Sequence, residues 1–284
     1  MCAIPADPQI AVKLVISDVD STLLTHDKVL TEKAKEAVKK IRAAGIGFTI
    51  TSSRPPRGMK MLIDGLNLSD PIGAFNGGLI CNPDLSPVSE ILLARELAAK
   101  TIAIIEQHHL DVWVYTSQDW YVQDATVPHA LHEAHVVQFQ PETAASFDGL
   151  LDQTIKIVGV SDDAAAVVRC EKAVQEACGP EVSATRSQPY YLDVTNSMAN
   201  KGEVVRQFSR MRGISVAEVA TIGDGSNDVL MFRVSGLSIA MGNAAAEVQA
   251  AATFVTSSNE EEGFASAMEK FILPRGPSHI LTPG

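Results

Sequence analysis

The chain has 284 residues, 46% of them hydrophobic, with 23 Lys and Arg against 34 Asp and Glu, a formal net charge of −11. That length suits one large or two medium domains, and an acidic balance with no basic stripe argues against nucleic acid and anionic membrane surfaces as partners. No run approaches the apolar length of a membrane span and the first residues lack a secretory pattern, so the default expectation is a cytoplasmic protein.

The first predicted element is a buried strand at 12–16, a β-branched-rich apolar run that ends abruptly in Asp18 and Asp20. After an irregular loop, 31–44 places Ala34, Ala37, Val38 and Ile41 on one helical face, with Gly45 as the stop. A second buried strand at 48–51 runs into Ser52, Ser53, Arg54, Pro55 and Pro56, where serine followed by proline predicts a helix to about residue 66. A third strand at 72–75 ends in Asn76, Gly77 and Gly78. Strand, helix, strand in repetition predicts a parallel α/β sheet with right-handed crossovers.

The rhythm breaks after residue 79, where Pro83 and Pro87 interrupt a hairpin or linker. Helix 94–108, paired strands at 112–115 and 120–123, helix 127–135, strand 155–160, helix 163–178 and strands near 182–185 and 190–194 follow. The opening rhythm returns at Asn200: helix 201–211, strand 219–222, helix 228–233, strand 237–240, helix 244–252, strand 254–255 and helix 261–271, then a loose Pro- and Gly-rich tail. The expected division is a core at 1–83 and 191–284 with an α/β unit, 84–190, inserted between. Cys2, Cys81, Cys170 and Cys178 have no metal spacing; eight helical residues separate Cys170 from Cys178 by about 12 Å, too far for a disulfide, so free thiols are expected.

Several strand ends and helix starts carry chemistry. Asp18 and Asp20 repel unless a cation or proton separates them, which points to a hard divalent metal, although an Asp-rich turn is an equal reading of the pair alone. Ser52 suits a phosphate oxygen or a helix cap. Lys201 falls in the first turn of a helix capped by Asn200, where the dipole disfavours a cation, so it reads either as an anion-binding group or as a solvated lysine. Residues 223–230, GDGSNDVL, add Asp224 and Asp228 at another strand end. Convergence of these residues on one sheet rim favours a site over coincidence. His129, His132 and His135 recur every three residues, a spacing that brings at most a pair together and so favours a helix face over a zinc site. Trp113, Trp120 and Tyr121 read as core of the inserted unit.

The motifs DVDSTLL, TSSRP, Lys201-Gly202 and GDGSNDVLMF, with FNGGLI and AMGNAAAEV, resemble in order those of the haloacid dehalogenase-like phosphatases, in particular the Cof-type sugar-phosphatase branch with a large α/β cap. The resemblance spans roughly residues 12–271 and implies a Rossmann-like core with an inserted cap. It implies Asp18 as a nucleophile forming an aspartyl-phosphate and Asp20 as acid then base. It also implies Mg²⁺ held by the Asp18 carboxylate, the Asp20 carbonyl and Asp224 with Asp228 in support, and phosphate held by Ser52 and Lys201 with Asn227. Ser53, Arg54, Asn76 and Gly77, on core loops facing the cap, become substrate contacts. Ser21 stands where the branch usually has glycine, and Ser52 and Ser53 where it usually has threonine and glycine. The expected activity is hydrolysis of small phosphorylated metabolites, sugar phosphates first, by a monomer or homodimer; a phosphosugar mutase and a non-catalytic sensor are the alternatives.

Overall fold

A computed structural model describes residues 11–277. Cys2 and the last part of the expected tail lie outside them. Strand β1 (Leu14–Ser17) is buried at every position, as a strand covered on both faces requires. Helix α1 (Glu32–Ala43) starts where the Thr31 hydroxyl accepts the Ala34 N–H and turns Ala34, Ala37, Val38 and Ile41 inward, the face its spacing predicts. β2 (Gly47–Ile50) follows. The helix expected directly after Ser52 starts later, with a 3₁₀ turn at Arg57–Met59 leading into α2 (Lys60–Gly65). Proline disfavours helical geometry in the residue before it, so Arg54 and Pro55 stay outside any helix.

β3 (Ile72–Ala74) meets β2's end through a single parallel bridge, Thr51 to Gly73, and otherwise pairs antiparallel with β4 (Leu79–Cys81), itself paired with β5 (Pro87–Glu90). The expected third parallel strand is therefore a hairpin strand, because the turn from 75 to 78 is far too short for a parallel crossover.

The middle of the chain contains α3 (Arg95–Gln107), β6 (Asp111–Tyr115), β7 (Trp120–Val122), α4 (Pro128–Val137), β8 (Glu142–Thr143), β9 (Lys156–Val160), α5 (Ala164–Cys178), β10 (Val182–Gln188) and β11 (Tyr191–Asn196). Its six strands form one sheet in the order β10-β11-β9-β6-β7-β8. Alternation divides the faces. Val112, Val114, Ile157, Leu192 and Val194 join Ala98, Ile105, Val167 and Val174 of α3 and α5 in one apolar cluster. Trp113, Tyr115, Val158 and Tyr191, on the opposite face, join a cluster that includes Met59, Phe75 and Leu79 of the flanking segments. Trp113 and Trp120 are fully buried, whereas Tyr121 is half-buried on the helix-covered side.

Strand pairing moves both expected division points. β5 belongs with β3 and β4, so the inserted sheet starts after residue 90, and β11 pairs with β9 and β10, so it continues through Asn196 rather than ending at 190. The short turn between β10 and β11 joins them as an antiparallel hairpin.

The remainder is α6 (Lys201–Arg212), β12 (Val219–Gly223), α7 (Val229–Phe232), β13 (Leu237–Ala240), α8 (Ala246–Ala251), β14 (Phe254–Val255) and α9 (Gly263–Ala267), which runs into a π turn at Met268–Ile272. β14-β13-β12-β1-β2 form a wholly parallel sheet. The described part of the tail is anchored, with the Val12 N–H donating to the Arg275 carbonyl at 2.8 Å. Cys81, Cys170 and Cys178 are buried and free. Among the described residues no helix is long and apolar enough to cross a membrane.

Candidate active site

The site follows from register. β1 lies between β2 and β12, with Ser17 opposite both Ile50 and Ile222, so the loops leaving these three strands emerge side by side at one carboxyl edge. Asp18 leaves β1, Ser52 lies just beyond β2, and Asp224 and Asp228 follow β12. The Asp18 N–H donates to the Ile222 carbonyl at 2.9 Å, pinning the first loop to the third.

Lys201 reaches this edge from the side. The Asn200 side chain accepts the Glu203 N–H at 3.0 Å and starts α6, which directs Lys201 inward. At 1% exposure Lys201 is buried, so the solvated reading fails. Its ammonium donates to Asp18 Oδ1 and Asp228 Oδ1, each at 2.5 Å. The second Asp228 oxygen accepts the backbone N–H groups of Asp224 (2.9 Å) and Gly225 (2.8 Å). Asp224 Oδ1 accepts the Thr22 hydroxyl at 2.9 Å.

Carboxylate oxygens of Asp18, Asp224 and Asp228 lie within 4.8 Å of one another. Burial, reinforced by the Asp228 and Asp224 charges, pushes Asp18 up to about 8 even against Lys201. Asp224 is also raised, by burial and then by Asp228 and Asp20. Burial opposes the charged form of Lys201, but the two carboxylates beside it outweigh that and raise it. Three acidic groups facing one lysine leave an excess of negative charge, and hard oxygen donors at this spacing fit a divalent cation such as Mg²⁺.

Asp20 does not join this cluster. Its carboxylate accepts Arg54 Nε at 2.8 Å and Nη2 at 2.7 Å, and Lys28 Nζ at 2.8 Å. Burial acts to raise it, but the hydrogen bonds and charges of Arg54 and Lys28 win and hold it at about 2. Arg54, expected as a substrate contact, is thus engaged with Asp20, with Nη1 donating to the Gly58 carbonyl at 3.1 Å. The buried Ser52 hydroxyl accepts the Arg54 N–H at 3.2 Å, so it caps a loop turn rather than a helix.

Two loops bring in the remaining candidates. Ser52 and Arg54 offer carbonyls to the N–H groups of Asn76 (2.8 Å) and Phe75 (3.1 Å). Phe75 (φ 51°) and Asn76 (φ 56°) both hold left-handed backbone, a strained pair at the sheet edge. Asn227 Nδ2 donates to Asn76 Oδ1 at 3.1 Å. Gly77, at φ +101°, backs onto α6, where a Cβ would meet Val204 Cγ2 at 2.8 Å and the Asn200 carbonyl at 2.9 Å. Ser53 is half-buried in the same loop.

A family model described as haloacid dehalogenase-like hydrolase matches residues 15–268. The chain belongs to the haloacid dehalogenase-like hydrolases. The Bacillus subtilis protein YxeH, provisionally named a phosphatase, is 29% identical over 272 residues, covering 93% of this chain and 99% of its own. The B. subtilis 5-amino-6-(5-phospho-D-ribitylamino)uracil phosphatase YwtE is 27% identical over 286 residues, covering 92% and 98%. A haloacid dehalogenase-like hydrolase from Bacteroides thetaiotaomicron superposes with a TM-score of 0.83 at 27% identity, covering 91% of this chain and 99% of that one. The fold is also that of the subclass IIB sugar phosphatase BT4131, with a TM-score of 0.79 at 23% identity. Membership and these relatives make this haloacid dehalogenase-like chain a phosphatase.

The departures from the family pattern now have positions. Ser21 holds φ 58°, the left-handed conformation that glycine adopts without strain, whereas Ser53 needs no positive φ. Sequence reading missed Thr22 and Lys28. Thr22 lies inside the first motif, and its small hydroxyl type next to an acidic pair was the available signal. Lys28 left none, because its partner is fixed by loop conformation. The three histidines form no metal group among the described residues. His129 instead bonds Asp162 at 2.8 Å and stacks on Tyr190, centroids 5.0 Å apart.

Proposed function

We propose that this phosphatase is a Mg²⁺-dependent phosphomonoesterase that acts on small phosphorylated metabolites, sugar phosphates or phosphorylated sugar alcohols, through an aspartyl-phosphate on Asp18. The observation that carries the reading is the buried bridge from Lys201 to Asp18 and Asp228, with Asp224 alongside. An Asp18 oxygen attacks phosphorus as the bond to the leaving oxygen breaks, and Asp20 gives that oxygen a proton. Water then attacks the phosphoryl group, Asp20 takes its proton, and the acyl-phosphate bond breaks to free Asp18 and phosphate. Lys201 fixes the Asp18 side chain while its charge faces the phosphoryl oxygens, and Ser52 with the Asn76 and Asn227 pair borders the phosphate.

Asp18, the Asp20 carbonyl and Asp224, with Asp228 behind them, would hold the metal, which supplies charge neutralisation between nucleophile and phosphate. With Arg54 and Lys28 on it, Asp20 is in its base form, which suits the second half-reaction; to give the leaving oxygen its proton in the first, it must part from these cations and take up a proton before the attack. The relatives named for a ribitylaminouracil phosphate support a polyol substrate, as does the fold shared with a sugar phosphatase.

Asp18→Asn removes the nucleophile and should lower phosphate release from a generic aryl phosphate by at least about 10³-fold while leaving the melting transition in place. Release at the parent rate would refute the assignment. Chelation should silence turnover and added Mg²⁺ restore it; turnover in the chelator would refute the metal reading.

A further inference from the structure

Three consecutive residues after β3, Phe75 (φ 51°), Asn76 (φ 56°) and Gly77 (φ 101°), hold positive φ. Glycine takes that backbone freely and asparagine tolerates it, but a phenylalanine there is strained, so contacts of its ring must offset the cost. The ring is 1% exposed and packs edge-on to Tyr115 of β6, centroids 5.7 Å apart. Tyr115 is itself a fixed surface. It stacks on Trp120 at 5.6 Å with 8° between the rings, and Lys156 Nζ, paired with Asp193 Oδ1 at 2.7 Å, lies 5.7 Å from its ring centre. A Cβ at Gly78 would meet Ile155 Cγ2 at 2.8 Å, and the Ile155 N–H donates to the Tyr115 carbonyl at 2.9 Å, so the turn abuts the inserted unit at two of its residues.

The other side of the same turn faces the candidate active site. Asn76 Oδ1 accepts Asn227 Nδ2 at 3.1 Å, Asn227 directly precedes Asp228, and Gly77 backs onto the Asn200 carbonyl and Val204, on either side of Lys201 in the chain. The turn is thus wedged between the inserted sheet and the two segments that carry Lys201 and Asp228. We propose that Phe75 is a positioning residue: pressed on Tyr115, its ring holds the turn in left-handed backbone, which fixes Asn76 on Asn227 and so places the loop of Asp228. The inference rests on the phosphomonoesterase reading, with Asn76 and Asn227 at the border of the phosphate, and adds how that border is held in place from the inserted unit. A leucine at position 75 keeps an apolar side chain but loses the ring edge, so the contact that offsets the strain goes and the turn relaxes away from Asn227.

The test uses the full-length enzyme with Mg²⁺ and 4-nitrophenyl phosphate. Phe75→Leu should lower kcat about tenfold while KM changes by less than about threefold, because a small misplacement of positioning groups is felt most in the transition state. Tyr115→Leu, on the opposite side of the contact, should do the same. Asn227→Ala should itself lower kcat about tenfold, and because it removes the pair through which the turn acts, adding either leucine substitution to it should cost less than about a further twofold. Full multiplication of the separate losses in the double variants overturns the inference, since a merely structural lesion would act independently of Asn227. Parental kcat in either leucine variant or in Asn227→Ala overturns it as well. Rates are taken per folded molecule from the melting curve of each preparation, and if Phe75→Leu does not fold, Tyr115→Leu with Asn227→Ala completes the same cycle. Failure of the wild type to hydrolyse the probe would instead overturn the phosphomonoesterase reading beneath the inference.

Discussion

Ser21 sits between Asp20 and Thr22 with its backbone in a conformation that strains a side chain bearing a Cβ by about 1–2 kcal/mol. Its carbonyl accepts Asn243 Nδ2 at 2.9 Å, so the loop after β13 helps hold it there. Glycine would relieve the strain at a smaller entropic cost, so Ser21→Gly should stabilise the fold by about 0.5–1 kcal/mol and raise the melting midpoint by a few degrees. Ser21→Val, β-branched at positive φ, should lower stability by about 1–2 kcal/mol. Equal midpoints for the two variants would show that the backbone relaxes instead. The pairing of Asp20 also belongs to this scale. Two carboxylates a residue apart look equivalent in sequence, yet Asp18 faces Lys201 and Asp20 faces Arg54 and Lys28, and the two are driven in opposite directions.

At the scale of the element, α6 is a delivery device. The Asn200 cap, the inward first turn and the close approach of Gly77 place a lysine where a helix dipole alone would repel it, and the offsetting charge comes from the loops after β1 and β12. Asn200→Ala should cost about 1 kcal/mol in denaturant unfolding, the ordinary value of an N-cap, and should lower kcat more than it raises KM because Lys201 loses its fixed origin. A fall in stability with unchanged kcat would separate the cap from the site. The hairpin strand β3 matters in the same way. A third parallel strand would have carried residues 75–77 along the sheet edge, whereas the tight turn folds them back across Ser52 and toward Asn227.

Across the whole molecule, the inserted sheet meets the catalytic half through a shared buried apolar cluster and a set of polar and aromatic contacts. Arg57 Nη1 meets Asp119 at 2.9 Å and its guanidinium lies over Phe139 at 5.3 Å, Phe75 packs on Tyr115, and a Cβ at Gly58 would lie 3.3 Å from Val137 of α4. Half-exposed ion pairs of this kind contribute about 0–1 kcal/mol, so the shared apolar cluster carries most of this contact. Binding at the acidic cluster should stabilise the whole fold. Mg²⁺ at about a hundredfold excess over its dissociation constant should add about 2.7 kcal/mol, read as a rise in melting midpoint. Asp224→Asn should remove most of that rise and Arg57→Ala should keep it. An undiminished rise in Asp224→Asn would place the metal elsewhere.

Local chemistry determined much of this protein without help from the fold. Apolar β-branched runs at 12–16 and 219–222, the inward stripe of α1 and the caps at Thr31 and Asn200 are properties of short segments, so the alternation of strands and helices and the edge on which Asp18, Ser52, Lys201, Asp224 and Asp228 gather were legible from residue types and their order. What only the tertiary structure decided are pairings between distant segments. Strand register assigned β11 to the inserted sheet and β3 to a hairpin, since a strand of either sheet has the same composition. Loop geometry gave Arg54 and Lys28 to Asp20, and the sheet face set Lys156 against Asp193. Ion pairs between residues tens or hundreds of positions apart depend on distance and burial, and neither quantity exists until the chain has closed on itself.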